Sequence, residues 1–277
     1  MNPRVTPGNG RVAASHLRGR VRAERFVDGH RMRVAVPMAD LLDMPGGSRL
    51  RQIQMGEAVT VYETLDGWAF VQAIKDGYVG YVESRVLADR PEPTHWLAVP
   101  ASHCYRAADL RSPDISWLGF GSLLTVVSFQ SGFLETDRGQ FLPERHLWPV
   151  GKRFSDHVNA AQLHFGTPYL WGGNSIRGID CSGLVQASLT AAGRPCPGDS
   201  DMQETELGYE LPSGTPPERG DLLFWKGHVA IAVDGETLLH ANAHHMAVAY
   251  EPTLKAIRRI DAQGGGHVTS HRRLLRE

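Results

Sequence analysis

Cysteine is scarce in this chain. Cys104, Cys181 and Cys196 are the only three in 277 residues, and no two form a C-x-x-C pair. An odd, widely spaced set excludes a disulfide-stapled scaffold and a cysteine-ligated zinc site, and it suits a reducing compartment. An excess of either charge is missing too. Lys and Arg number 29 against 30 Asp and Glu, a net charge of -1, so no nucleic-acid groove is indicated. No apolar run reaches the roughly 18 residues of a membrane span. The first 30 residues hold no apolar core of the kind a secretory leader needs, so the chain is expected to stay in the cytoplasm. What is present is a 42% hydrophobic content spread over a length that suits two or three domains.

Residues 1–32 are polar and rich in Arg (Arg4, Arg11, Arg18, Arg20, Arg22, Arg25), with Pro3, Pro7, Gly8 and Gly10 near the front. They read as a solvated tail or short helix. From 33 to 150 the pattern is all β: short alternating or branched runs such as "AVTVYE" and "WAFVQAI", bounded by Gly and Asp turns. This region repeats. "MGEAVTVYETLDGWAFVQ" (55–72) aligns with "FGSLLTVVSFQSGFLETD" (120–137), matching Gly56 to Gly121 and Gly67 to Gly132 at an offset of 65. "YVESRVL" (81–87) aligns with "FLPERHL" (141–147) at an offset of 60. Two small barrels, 33–90 and 91–150, fit this better than one large β domain. Pro91 and Pro93 in "DRPEPTH" mark the boundary, since proline resists both helix and central strand.

From 151 to 277 helical patterns come first and strands after, the order of an α+β domain. "CSGLVQASLTAAG" (181–193) reads as a helix with Asp180 as N-cap and Gly193 as stop. Cys181 thus lies in a first helical turn, behind the turn-rich "WGGNSIRGID". Free backbone N–H groups there favour a thiolate and can hold a developing oxyanion. A free cysteine is as readily a small buried hydrophobe, and position alone leaves both readings open. The segment "GHVAIAVDGETLLHANA" (227–243) reads as a hairpin. A three-residue loop, Asp234-Gly235-Glu236, pairs Val233 with Thr237, Ile231 with Leu239 and Val229 with Ala241 on one mostly apolar face. The other face then carries His228 and His240 as diagonal neighbours among alanines, which is what a base and its orienting group need. "HANAHH" adds His244 and His245, but no carboxylate stands at a regular ligand spacing, so no metal is expected.

At this point the residues match a family. "YLWGG" (169–173), "GIDCSGLVQ" (178–186), "GDSDMQ" (198–203), "RGDLLFW" (219–225), "GHVAIAV" (227–233) and "LLHA" (238–241) occur in the order found in NlpC/P60 cysteine peptidases. Essentially all of 151–277 resembles that family, and the twin repeats ahead of it resemble bacterial SH3 (SH3b) domains. The resemblance implies two SH3-like β-barrels followed by an α+β papain-like domain. It implies a cofactor-free hydrolase that cuts murein stem peptides between D-glutamate and a diamino acid, diaminopimelate or Lys.

Carried over, it makes Cys181 the nucleophile, His228 the base and His240 the orienting residue, with Tyr169, Asp180 and Ser182 bordering the thiol. Asp199 and Ser200 match a pair that helps hold the free amine of an N-terminal L-Ala. Tyr78, in "DGYVGYV", and Glu57, in "MGE", match residues the first SH3b domain lends to substrate binding. A site demanding a free amine rejects stem peptides still attached to sugar, which points to recycling of wall peptides. Blander readings stand beside these. Asp-Ser pairs most often cap helices, Tyr78 and Tyr81 could be barrel core, and Trp68, Trp117 and Trp171 read as core or cleft wall. Cys104 and Cys196 read as inert. The glycines of "GNSIRGIDCSGLVQ" (173–186) are expected to leave room for a substrate backbone. Two other functions are carried along: an amidase or acyl transferase on the same fold, and a non-catalytic murein-binding protein.

Overall fold

A computed structural model describes residues 1–275 of the chain. It divides into two compact units, Met1–Val150 and Gly151–Glu277.

The first unit is built mainly from antiparallel sheets. One has seven strands, in the order Arg49–Gln54, Met38–Leu42, Val79–Glu83, Trp68–Ala73, Ala58–Leu65, His30–Val34, Leu87–Ala88. Alternate residues such as Leu41, Ile53, Val59, Val71 and Val82 turn inward and are fully buried. The second half has a three-stranded and a five-stranded sheet around Leu97, Cys104, Leu118, Leu124, Leu134, Leu142 and Leu147.

The sequence repeat has a counterpart in detail. Asp66-Gly67 turns one hairpin with φ of 48° and 83°, and Ser131-Gly132 turns another with φ of 52° and 81°. Positive φ at both central residues matches the strands' right-handed twist. Each turn then receives a short 3-10 helix: Ser84 N donates to Gly67 O (2.8 Å), and Glu144 N donates to Gly132 O (2.9 Å). The halves also share a core, because Met55 of the first packs among the leucines of the second. Beside it, a Cβ on Gly56 would stand 2.2 Å from Leu123 O, so only glycine permits that approach.

The N-terminal segment departs from expectation. It is not a solvated tail. Val12–Ala14 pairs in parallel with Arg25–Val27, and Val12 is fully buried against Phe70 and Val79. Charge fixes the rest. Glu63, itself buried, accepts from Arg11 (2.8 Å), Arg25 (2.8 Å) and Asn9 (3.3 Å), which holds its carboxyl below the usual range. Arginines that look solvated in sequence are thus drawn down onto one buried acid.

The second unit is an α+β domain. Its six-stranded sheet runs Tyr209–Glu210, Ser270–Arg273, Leu222–Trp225, His228–Ala232, Thr237–Asn242, Ala247–Pro252. The helices are α1 (His157–Gln162), α2 (Cys181–Ala191), α3 (Ser200–Glu206) and α4 (Thr253–Ile260). Leu184, Val185 and Leu189 of α2 pack on the sheet face made by Val229, Ile231, Leu239 and Ala241. Ala256 and Ile260 of α4 cover the other face at Leu223, Trp225, Ala230, Ala232 and Leu238. Each such fully buried Leu or Ile contributes about 1.5–3 kcal/mol. The hairpin has the register that the apolar pattern predicts: Ile231 opposes Leu239, and Val233 N donates to Thr237 O across the three-residue loop.

Candidate active site

The thiol sits where α2 begins. Asp180 is the N-cap, and its Oδ1 accepts from Gly183 N (2.7 Å) and the Ser182 hydroxyl (3.2 Å). Its Oδ2 accepts from Gly172 N (2.8 Å), which ties the "WGG" turn to the helix start. Cys181 is 7% exposed. Burial, and after it the Asp180 carboxylate, push its pKa up to about 12; the N–H groups of Val229, Ser182 and Cys181 itself pull the other way. A thiol so raised is protonated at rest, and a sulfur in that state acts as a nucleophile only where a base can take its proton. The N–H of Val229 matters for position as well. It brings the sulfur to the start of the strand whose first residue is His228.

His228 and His240 meet as the hairpin register requires. His228 Nε2 lies 2.9 Å from His240 Nδ1, with ring centroids 5.1 Å apart. The His228 ring also packs beside Trp225, at 5.7 Å. Burial first, then its neighbours His240 and Arg259, lower the His228 pKa to about 3, so its imidazole is neutral. His240 has no solvent exposure, and its Nε2 lies 3.2 Å from Glu251 Oε2. Glu251 in turn takes two bonds from Arg259 of α4, at 2.9 and 2.8 Å. Burial opposes its ionisation, but the bonds from His240 and Arg259 outweigh that and hold the carboxyl well below the usual range.

Sequence reasoning stopped at the two histidines. Glu251 lies on the third strand of the meander, opposite Leu238 and diagonal to His240. The available signal was the alternation Ala247, Ala249, Glu251, two small residues and then an acid on the face of a strand. His240, His245 and Glu251 place ligand atoms within 4.8 Å of one another, the carboxylate that the sequence spacing did not supply. Arg259 already sets a fixed positive charge on that carboxylate, so the trio is better suited to a hydrogen-bond relay than to a cation.

The remaining candidates fall into groups. Tyr169 is half-buried against the same core; burial, then charge at Cys181 and Asp180, raise its phenol to about 12. Ser182 spends its hydroxyl on Asp180. Asp199 stands at the N-cap position of α3 and makes no side-chain cap bond there. Ser200 opens that helix. Gln203, fully buried, bonds both Ser182 O and Pro197 O at 2.9 Å and so locks this segment to the start of α2.

Tyr78 and Glu57 belong to the first unit. Tyr78 is 3% exposed beneath the Arg51 guanidinium, and Glu57 is buried and bonded to Lys75. Trp171 is not core, being 70% exposed, whereas Trp68 and Trp117 are half-buried. The glycines near the thiol serve the chain itself: a Cβ on Gly183 would lie 2.7 Å from Gly173 O. Cys104 is fully buried, and burial raises it to about 11.

A buried cysteine at a helix start, its sulfur served by the N–H next to His228, and a second histidine bonded to His228 make an arrangement of the kind that thiol hydrolases use. Residues 166–259 match the model of the NlpC/P60 family, and 41–87 match that of the bacterial dipeptidyl-peptidase Sh3 domain. The gamma-D-glutamyl-L-lysine dipeptidyl-peptidase of Bacillus subtilis is 27% identical over 242 residues, 75% of this chain and 80% of its own. Dipeptidyl-peptidase 6 of Lysinibacillus sphaericus is 30% identical over 222 residues, 69% of this chain and 79% of its own. The crystal structure of an NlpC/P60 family protein from Bacillus cereus superposes with a TM-score of 0.72, covering 89% of this chain and 100% of that one at 19% identity, a likeness of fold. The chain belongs to the NlpC/P60 family of cysteine peptidases and carries an SH3-like domain ahead of the catalytic one. Among the described residues no helix is long and apolar enough to cross a membrane.

Proposed function

We propose that the chain is a cysteine endopeptidase that hydrolyses the γ-D-glutamyl–diamino acid bond of murein stem peptides bearing a free N-terminal L-Ala. The observation that carries this is the 2.9 Å bond between His228 and His240, at the start of a strand whose next N–H serves the Cys181 sulfur. Cys181 attacks the γ-carbonyl while His228 takes its proton, then returns it to the leaving amine. Water hydrolyses the thioester, again with His228 as base. The N–H groups at the start of α2 stand ready for the oxyanion.

The relatives' names support the bond, since two are called gamma-D-glutamyl-L-lysine dipeptidyl-peptidases. Asp199, half-buried at the start of α3, is the group we assign to the substrate amine on the strength of the family motif, with Ser200 beside it. A free amine exists only on peptides already cut from sugar, so recycling within the cytoplasm is the setting this requirement suits. We read 91–150 as a second SH3b domain, on the strength of the matched turns and 3-10 helices. Glu57→Gln and Tyr78→Phe test the substrate roles the resemblance gives those residues, through KM.

The decisive experiment is incubation with L-Ala-γ-D-Glu-diaminopimelate. Free diaminopimelate and L-Ala-D-Glu are expected, and Cys181→Ala should abolish turnover while peptide binding survives. An uncut peptide refutes the proposal.

A further inference from the structure

Glu251 and Arg259 have no place in the chemistry derived so far, yet they form a buried ion pair at the end of the histidine chain. We propose that Glu251 is a positioning residue that fixes the tautomers of both histidines, and that Arg259 holds it as a pure acceptor while it does so. The inference rests on the reading of Cys181 and His228 given above.

The argument is one of donors and acceptors. Arg259 has only donors, and it directs two of them at Glu251, so the carboxylate is ionised and can only accept. His240 Nε2, 3.2 Å from Glu251 Oε2, must therefore carry a proton. A neutral imidazole protonated at Nε2 has a bare Nδ1. His228 Nε2, 2.9 Å from that atom, must then be the donor. A neutral His228 protonated at Nε2 is left with a lone pair on Nδ1, the only ring nitrogen free to accept the thiol proton. One carboxylate thus sets which nitrogen of His228 is the base, two imidazoles away.

Arg259 fixes the state of the carboxylate on which this rests: its two donors, at 2.9 and 2.8 Å, leave Oε2 to accept from His240. The charged and titratable groups that face His240 are His228 from the adjacent strand, Glu251, His245 of the following turn with His244 against its ring, and Arg259 from α4.

The two charges can be tested separately in the full chain. With 15N-labelled histidine, long-range proton–nitrogen NMR should show Nε2–H tautomers at both His240 and His228. Glu251→Gln keeps the shape but can offer its amide N–H to His240 Nε2. It should move the His240 proton to Nδ1 and lower kcat about 10- to 100-fold, the usual cost of losing an outer orienting group, with KM within about twofold. Glu251→Asp should restore much of the rate.

Arg259→Gln should act differently. The carboxylate loses two donors but can still accept from His240, so both tautomers should hold and kcat should fall less than in Glu251→Gln. A folded Glu251→Gln protein with wild-type kcat and an unchanged His240 tautomer overturns the proposal. So does a wild-type protein whose His240 or His228 carries its proton at Nδ1, which decides the matter if Glu251→Gln does not fold. If wild type itself fails to cut the peptide, the active-site reading is at fault; the tautomers still report on Glu251.

Discussion

Asp180 holds the thiol in place and at the same time makes it less acidic, and a substitution can separate the two effects. Asp180→Ala removes the cap bond to Gly183, worth about 1 kcal/mol. It also orphans the buried N–H of Gly172, at about 1–3 kcal/mol. The sum is a loss of about 2–4 kcal/mol. Asp180→Asn can keep the cap oxygen but turns its amide toward Gly172 N–H, so it should lose only the second part. Both substitutions remove the negative charge that is the second cause of the raised thiol pKa. Burial, the first cause, stays. The thiol should therefore fall by roughly one unit from about 12, the ordinary effect of a single neighbouring charge. Urea unfolding followed by tryptophan fluorescence measures the stability. The rate of alkylation by iodoacetamide between pH 7 and 11 measures the thiol. A less stable protein with a more acidic cysteine is expected. An Asp180→Asn thiol that titrates at or above the wild-type value would show that the carboxylate does not act on the sulfur through its charge.

Other expectations follow from the same structure. His164 is 1% exposed and burial lowers its pKa from 6.5 to about 4, so it is neutral when folded. The unfolded chain takes up its proton below pH 6.5 while the folded one refuses it. Stability should thus drop as pH falls from 6.5 to 4, by about 3 kcal/mol for this residue, and His164→Phe should flatten that slope in urea titrations. Gly56→Ala combines positive φ with a 2.2 Å approach to Leu123 O and should cost well over about 2 kcal/mol, whereas Gly67→Ala, with open space around it, should cost about 1–2 kcal/mol. Thermal melts of the two would separate strain from collision. Glu63→Gln removes the charge that holds Arg11 and Arg25, and hydrogen exchange over residues 9–14 should rise several-fold; unchanged protection would mean that Val12 alone anchors the segment.

How much of this could be read from the sequence depended on the range of the interactions. The start of α2, with Asp180 as cap, needs only neighbouring residues and is plain in "GIDCSGLVQ". The hairpin needs one register, and the apolar pattern admits one. The barrel repeat is visible because its glycines recur where positive φ is required. Glu251 and Arg259 were missed because they reach His240 from a third strand and a further helix, and although Thr253–Ile260 is plainly amphipathic, nothing local in either segment ties it to that histidine. The N-terminal arm was misread for a related reason. Its arginines look solvated until Glu63, some fifty positions away, is known to be buried. For Trp171 only the core alternative falls, because size and apolarity say nothing about which side of a turn a ring occupies.

The insertion of Met55 among Leu97, Leu118 and Leu142 bears on how this architecture can be taken apart. Tandem repeats are usually treated as beads that can be shuffled, trimmed or grafted singly. Here a cut near residue 90 would uncover a methionine on one piece and leave a socket in the other. Each fragment would carry a ready-made sticky patch. The pair is inherited as one part, and the workable seam for excision is the junction at Val150 and Gly151.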